Sequence, residues 1–246
     1  MTYKLLGVGT NAKTVKGDGD EYLTAILYMT PWKVMVDGKH FNSCPMAEQA
    51  NCIVACLNTA GRGAFSNVQS ARMRKADWFY RDREGFMQQL VEDIRKFEAY
   101  CVKRGIKPCV RLNGTTDIRW ENIRPYTEYA DTWGDNIFEM FPCVQFYDYT
   151  KIANRRVSQI PNYHLTWSYS RASREYAMGL VRAMHNGMNA AIVFRDVYDK
   201  PTWQGYPVVD GDKDDLRFLD PKGGHIVALY AKGKAKKDTS GFVQEV

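Results

Sequence analysis

Three of the six cysteines, Cys44, Cys52 and Cys56, fall inside the segment Cys44-Pro-Met-Ala-Glu-Gln-Ala-Asn-Cys-Ile-Val-Ala-Cys56. Cys52 and Cys56 are spaced i, i+4, which predicts a helical turn with both sulfurs on one side, and the loop behind Pro45 can return Cys44 toward them. Three thiolates that converge are metal ligands, whereas exposed free thiols are open to oxidation. The Cys-x7-Cys-x3-Cys spacing does not match the paired Cys-x2-Cys of zinc ribbons. Two centres satisfy three sulfurs. In one, His40 closes a tetrahedral Cys3His zinc site that holds the loop. In the other, the sulfurs bind three irons of a [4Fe-4S] cluster and the fourth iron stays open for a ligand. A loop on the active face of a barrel favours the second, because chemistry requires the vacancy. Cys101, Cys109 and Cys143 lie on an expected helix and expected strands, where they read as small core residues.

The elements that must position this loop follow from hydrophobic patterning. Short apolar, β-branched or aromatic runs predict six strands, at residues 22–29, 108–112, 143–147, 164–168, 190–194 and 225–230. Between them, residues 83–103 carry Phe86, Leu90, Ile94, Phe97 and Cys101 on one stripe, an amphipathic helix stopped by Gly105. A second helix is expected over 171–185, with Tyr176, Leu180, Val181 and Met184 on one face and Asn186-Gly187 as terminator. Strands alternating with helices imply parallel pairing through right-handed crossovers. The expected architecture is α/β: a single domain, 1–246, forming a partial (open) β/α barrel of about six mostly parallel strands. A doubly wound sheet is the other arrangement compatible with this pattern. Residues 40–63 form the cysteine loop, and 196–224, rich in Asp, Gly and Pro, form a long excursion between the last two strands.

If the strands are parallel, the polar residues at their ends ring one face above the cysteine loop. Asp117, Asp148, Lys151 and Arg195 are the candidates for proton transfer and charge stabilisation. Asn113, Gly114, Thr115 and Ser168 are the candidates for holding a cofactor, and Cys44, Cys52 and Cys56 are the metal ligands. Each of these residues also has an ordinary reading in turn and capping chemistry; the convergence of four loops is what marks the set.

Composition bounds the rest. The chain has 246 residues, 45% of them apolar and 25% charged, which suits a globular protein that buries a core without disulfides. Its longest apolar runs, 52–57 and 226–231, fall far below the roughly 18 residues a membrane span needs. Residues 1–9 lack a secretory pattern, so a reducing cytoplasm is the expected compartment. A net charge of +6 is mild, and only Lys232, Lys234, Lys236 and Lys237 form a basic stripe, which is a solvated end or, in the zinc reading, a contact to nucleic acid or a host protein. Gly61-Arg-Gly63 reads as a helix terminator, and Asp210, Asp212, Asp214 and Asp215 as a solvated acidic loop without calcium-binding spacing. His164, inside a strand, is expected to satisfy a core hydrogen bond. No nucleophile-elbow pattern supports hydrolysis.

A three-cysteine loop after the first strand of a six-stranded partial barrel resembles the radical S-adenosylmethionine superfamily, although the usual spacing there is Cys-x3-Cys-x2-Cys. That resemblance implies S-adenosylmethionine at the open iron, a small-molecule substrate, and a glycine-rich turn after the second strand. Here only Gly114 of Arg111-Leu-Asn-Gly-Thr-Thr-Asp117 corresponds to that turn. Over nearly its whole length the chain also resembles a family of uncharacterised proteins encoded by bacteriophages. The similar segments include Cys44-Pro-Met-Ala, Ala55-Cys-Leu-Asn-Thr-Ala-Gly-Arg-Gly63, Gln145-Phe-Tyr-Asp-Tyr-Thr-Lys151 and Asn162-Tyr-His-Leu-Thr-Trp-Ser168. This second resemblance implies a viral protein expressed in the host bacterial cytoplasm, and it carries no reaction.

Overall fold

The computed structural model describes residues 4–9, 21–56, 58, 61–125 and 135–246. Residues 1–3, and Leu57, Thr59 and Ala60 of the cysteine-loop segments, lie outside the described residues. In chain order, β1 (Leu6–Val8) and β2 (Tyr22–Leu27) precede a hairpin of β3 (Lys33–Val36) and β4 (Lys39–Asn42). The cysteine loop leads to α1 (Ser66–Arg81), α2 (Arg83–Lys103) and β5 (Lys107–Arg111). Next come α3 (Ile137–Met140), β6 (Gln145–Thr150), β7 (Tyr163–Ser168), α4 (Arg174–Ala177), α5 (Gly179–His185) and β8 (Asn189–Phe194). The chain ends through β9 (Thr202–Trp203), β10 (Tyr206–Asp210), β11 (Ile226–Tyr230) and β12 (Val243–Gln244).

The result is a mixed α/β protein with a large, mostly parallel sheet that is not closed into a barrel. Its order is β1-β2-β5-β6-β7-β8-β11-β10-β9. From β2 to β11 the strands stand in chain order and all pair in parallel. A doubly wound sheet would reverse direction in its middle, and this one does not. β1 joins β2, and β9 joins β10, antiparallel. β12 pairs with the last two residues of β8, beyond the reach of β7.

Alternation along the strands separates the two faces. Val110, Phe146, Leu165, Trp167, Ala190, Ile192 and Ile226 pack in the main core together with Phe86, Leu90, Ile94 and Phe97 of α2. Burying each Val, Leu, Ile or Phe among them is worth about 1.5–3 kcal/mol. On the opposite face Cys109 and Tyr147 pack with Leu216, under Tyr22 and Phe218. Asp82 caps α2 by accepting from the Gly85 N–H, and Gly105 leaves the helix at φ +67° before β5 begins.

Several expectations give way to tertiary context. Residues 171–185 form two short helices joined at Met178, with Ser173 capping the first through the Tyr176 N–H. Cys52 to Cys56 is a run of turns rather than a helix; the Cys52 N–H reaches back to Ala47 O and the Cys56 N–H to Ile53 O. Gly61-Arg-Gly63 does not end a helix but forms a 3-10 turn just before α1. The 196–224 excursion supplies β9 and β10 to the sheet edge. Cys101 and Cys109 are buried, but Cys143 is exposed in the turn before β6. The acidic loop is only partly solvated, since Asp215 is buried against Arg111 and Asp212 pairs with Lys232. His164 Nε2 does not make the expected core hydrogen bond: it is buried without a partner among the described residues. The basic tail folds back as a 3-10 turn with Ala235 buried. Among the described residues no helix is long and apolar enough to cross a membrane.

Candidate functional site

The cysteine loop lies across the C-terminal ends of the parallel strands, and its own backbone ties it there. Ser43 Oγ donates to Thr30 O beyond β2, and the Asp117 N–H beyond β5 donates to Ser43 O. Ser170 Oγ, beyond β7, donates to Ala50 O (2.8 Å), and Ser240 Oγ donates to Asn51 O (3.2 Å). Loops after three different strands therefore hold one segment, as a site at the carboxyl ends of parallel strands requires.

None of the three cysteines of the loop is in a disulfide. Cys44 Sγ donates to Thr115 O (3.7 Å) and Cys52 Sγ to Ala47 O (3.8 Å), while Cys56 Sγ accepts from the Asn58 N–H (3.5 Å). Burial pushes the Cys44 thiol up to about 12, and the neighbouring charges of Asp117 and Cys56 add to this. Burial also raises Cys56, helped by Cys52 and opposed by Lys151 and Arg72. Cys44, Cys56 and Cys52 thus form one electrostatic neighbourhood, with Lys151 and Arg72 as its cations. Among the described residues no three His, Cys, Asp or Glu side chains come together closely enough to share a single ion. His40 is exposed on the β3–β4 hairpin, paired in register with Met35.

Of the polar candidates, Lys151 and Ser168 meet beside this group. Lys151 Nζ donates to Ser168 Oγ (2.8 Å) and lies 4.7 Å from the Phe242 ring. Thr115 faces the loop through its carbonyl, and its hydroxyl donates to Met29 O. The other candidates are engaged by protein partners. Asn113 Oδ1 accepts from Thr116 Oγ1, the Ile118 N–H and Trp120 Nε1. Asp117 accepts from Thr150 Oγ1, the Lys151 N–H and Arg155. Arg195 is spent on Glu245 and the carbonyls of Lys236 and Asp238, at the C-terminal strap.

Gly114 has a steric reason to be glycine. Its N–H donates to Leu27 O, and a Cβ there would stand 2.6 Å from Ile26 Cγ2 and 2.7 Å from the Leu27 carbonyl oxygen. The backbone oxygen cannot swing away. Gly114→Ala is expected to cost about 1–3 kcal/mol in urea unfolding, as overpacking does; a variant of unchanged stability would show that the two loops separate freely.

Asp148 sits on the helix-covered face, accepting from the Asn113 N–H (2.9 Å) and Tyr163 Oη (3.3 Å). Burial pushes its carboxyl up to about 7, against the pull of Arg111. An acid whose folded value is raised stabilises the protein fully below its unfolded value, and that contribution is lost as pH rises through the folded one. Between about pH 4 and 7 the fold should therefore lose about 1–3 kcal/mol through this group. Urea midpoints across that range should fall for the natural chain and flatten in Asp148→Asn; parallel profiles would refute the assignment.

Sequence reasoning missed Arg72 and Arg155. Arg72, on α1, donates through Nη1 to Asn58 O (2.8 Å) and lies 5.0 Å from the Tyr28 ring. Its position eleven residues after Gly61 gave no signal, because α1 itself has little apolar periodicity.

Fold and loop together define a mixed α/β protein whose parallel strands end beneath a loop bearing three cysteines that form no disulfide. The family model described as Gene product 88 matches residues 4–246. The chain belongs to that family, in keeping with its resemblance to phage-encoded proteins, whereas the comparisons do not show a relation to the radical S-adenosylmethionine superfamily. No curated protein matches the chain, and no solved structure does.

Proposed function

We propose that this is a phage iron-sulfur protein built as an open β/α barrel, in which Cys44, Cys52 and Cys56 hold a [4Fe-4S] cluster over the strand ends. The single observation that carries this reading is the seating of three cysteines, none of them in a disulfide, in one loop tied down by residues beyond β2, β5 and β7. The chain order of the parallel strands supports the open barrel. The donor chemistry fits a cluster better than a mononuclear centre: the sulfurs share a neighbourhood without converging on one point, and His40 stands exposed on its hairpin. Lys151 and Arg72 favour the thiolate at Cys56, which lowers the cost of deprotonating it for a metal.

With three ligands from the protein, one iron would remain open to a small molecule, S-adenosylmethionine in the enzyme form of this reading. A reduced cluster would supply one electron to such a ligand. Lys151 and Ser168, joined beside Cys56, would hold the ligand's polar end and exclude water there. The host cytoplasm is the compartment that suits an oxygen-sensitive centre in a phage protein.

Anaerobic purification with iron, sulfide and zinc analysis tests the proposal. About four irons and four sulfides per chain with a brown chromophore are expected. A colourless protein with stoichiometric zinc would replace the cluster by a structural centre, and electron paramagnetic resonance unchanged by S-adenosylmethionine would remove the enzyme form.

A further inference from the structure

Between Glu48 and Asp77 the sequence holds no acidic residue, and within that stretch lie Arg62, Arg72, Arg74 and Lys75. Folding sorts these cations. Arg72 is buried against Asn58 and Lys75 Nζ donates to Leu5 O, whereas Arg62 and Arg74 stand exposed. The two carboxylates that bound the stretch are neutralised, Glu48 by Lys33 (2.8 Å) and Asp77 by Arg81 (3.0 Å). The first turn of α1 carries no acid and no side-chain cap, so its end adds the positive half of the helix dipole to the same surface.

A second group of cations reaches the same border from the far end of the chain. The 3-10 turn Gly233–Lys237 buries Ala235, which packs with Ala55 of the cysteine loop, Ala231 and Val243. That contact leaves Lys234, Lys236 and Lys237 exposed beside the loop. Asp238, the acid that follows them, is buried and accepts from Ser240 Oγ and the Val243 N–H. On the other side of the loop, Asn58 is held by Gln69 and Arg72 of α1, and Gln69 Nε2 also donates to Gly63 O, next to Arg62. The lysine turn and the start of α1 therefore flank one short segment around Cys56. None of the five exposed cations is in an ion pair among the described residues.

Exposed cations without carboxylates attract anions, and cations spread along a border match a chain of phosphates better than one small ion. Phe65 decides which polyanion. It stands just before α1, three residues after Arg62, and is 59% exposed with no ring contact among the described residues. An open ring among cations is a platform for an unpaired base, and the paired bases of a duplex are closed to it. A lipid surface would need a continuous apolar helix face, but Ser66, Asn67 and Ser70 are exposed on the same turns. We propose that this border binds single-stranded nucleic acid, with its phosphates on Arg62, Arg74 and the lysine turn and one base stacked on Phe65. The surface lies at the edge of the cysteine loop and needs no metal there.

The test is fluorescence anisotropy of the full chain with a labelled thymidylate oligomer of about 20 nucleotides, repeated over a series of salt concentrations, with a DNA duplex and phosphatidylglycerol vesicles as competing probes. Saturable binding is expected, with log K falling against log salt by about 0.7 for each phosphate neutralised. Lys234→Ala, Lys236→Ala and Lys237→Ala together should flatten that slope by about 2, and the corresponding three replacements by Arg should leave it as it was. Phe65→Ala should weaken binding about fivefold or more at an unchanged slope, the worth of one stacked base. Lys103→Ala with Arg104→Ala, exposed before β5 at the other end of the strands, should change little. All these side chains lie on the surface, so urea midpoints should match that of the natural chain. An oligomer that does not bind, an affinity indifferent to the lysine turn or to Phe65, or tighter binding of the duplex or the vesicles would overturn the proposal. So would an equal loss from the Lys103 and Arg104 pair, which would reduce the attraction to net charge.

Discussion

Replacing Arg155 by Met should lower the unfolding free energy by about 3–5 kcal/mol, the usual cost of stripping one partner from a buried ion pair. Arg155 is 0% exposed at its side chain and holds Asp117 and Glu121 together (3.2 and 2.7 Å), while Nη2 also donates to Ile118 O and Tyr163 Oη. It bridges the loop after β5 to the loop after β6, beneath the cysteine segment. Without it Asp117 keeps only Thr150 Oγ1 and the Lys151 N–H, and burial already raises that carboxyl. The loss should be larger at pH 8, where the carboxylates must stay ionised, than at pH 5. Adding Asp117→Asn and Glu121→Gln to Arg155→Met should recover much of it, because no uncompensated charge then remains. Urea denaturation of the three chains at both pH values decides the matter. A loss below about 1 kcal/mol in Arg155→Met would mean that water reaches the two carboxylates, and would return Asp117 to the residues able to exchange protons at the strand ends.

That network shows why the site was harder to read than the strands. The six central strands were legible because each carries a short run of apolar, β-branched or aromatic residues, the clearest being Ala190 to Phe194. The helix α2 was legible for the same reason: its stripe from Phe86 to Cys101 repeats at helical spacing and ends at Gly105. By contrast, α1 buries only Arg72, Ala76 and Phe79 over sixteen residues, so periodicity had almost nothing to report. The β3–β4 hairpin carried an Asp37-Gly38 turn, both residues at positive φ, and that dipeptide was the available signal. For the site, residue type suggested which side chains could do chemistry but could not say which were already spoken for. Asp117, Asp148 and Arg195 look alike in sequence to Lys151, yet three of the four are absorbed by contacts with residues 15 to 50 positions away.

Substitution of the loop cysteines should abolish iron uptake, whereas substitution of Cys109, buried on the opposite face of the sheet, should not. Cys56→Ala removes a thiol that burial holds above its ordinary value and that Lys151 and Arg72 pull back toward its charged form. Cys44→Ala removes the thiol that burial pushes up to about 12, beside Thr115 O. A cluster held by three thiolates loses a third of its protein ligands in either case, so iron content after anaerobic reconstitution should fall at least tenfold, together with the visible chromophore. Cys109 lies in the small cluster with Tyr147 and Leu216 on the opposite face, and Cys109→Ala should retain full iron while losing about 1 kcal/mol of stability as a small core truncation. His40→Ala separates the two metal chemistries: a closed Cys3His centre would lose affinity by the 10-fold or more that an altered ligand shell costs, and a three-thiolate cluster would form as before. Full iron in Cys44→Ala and Cys56→Ala alike would dissociate the thiols from any metal and leave the loop as a packed cover over the strand ends, its serine and backbone ties explaining its position without chemistry.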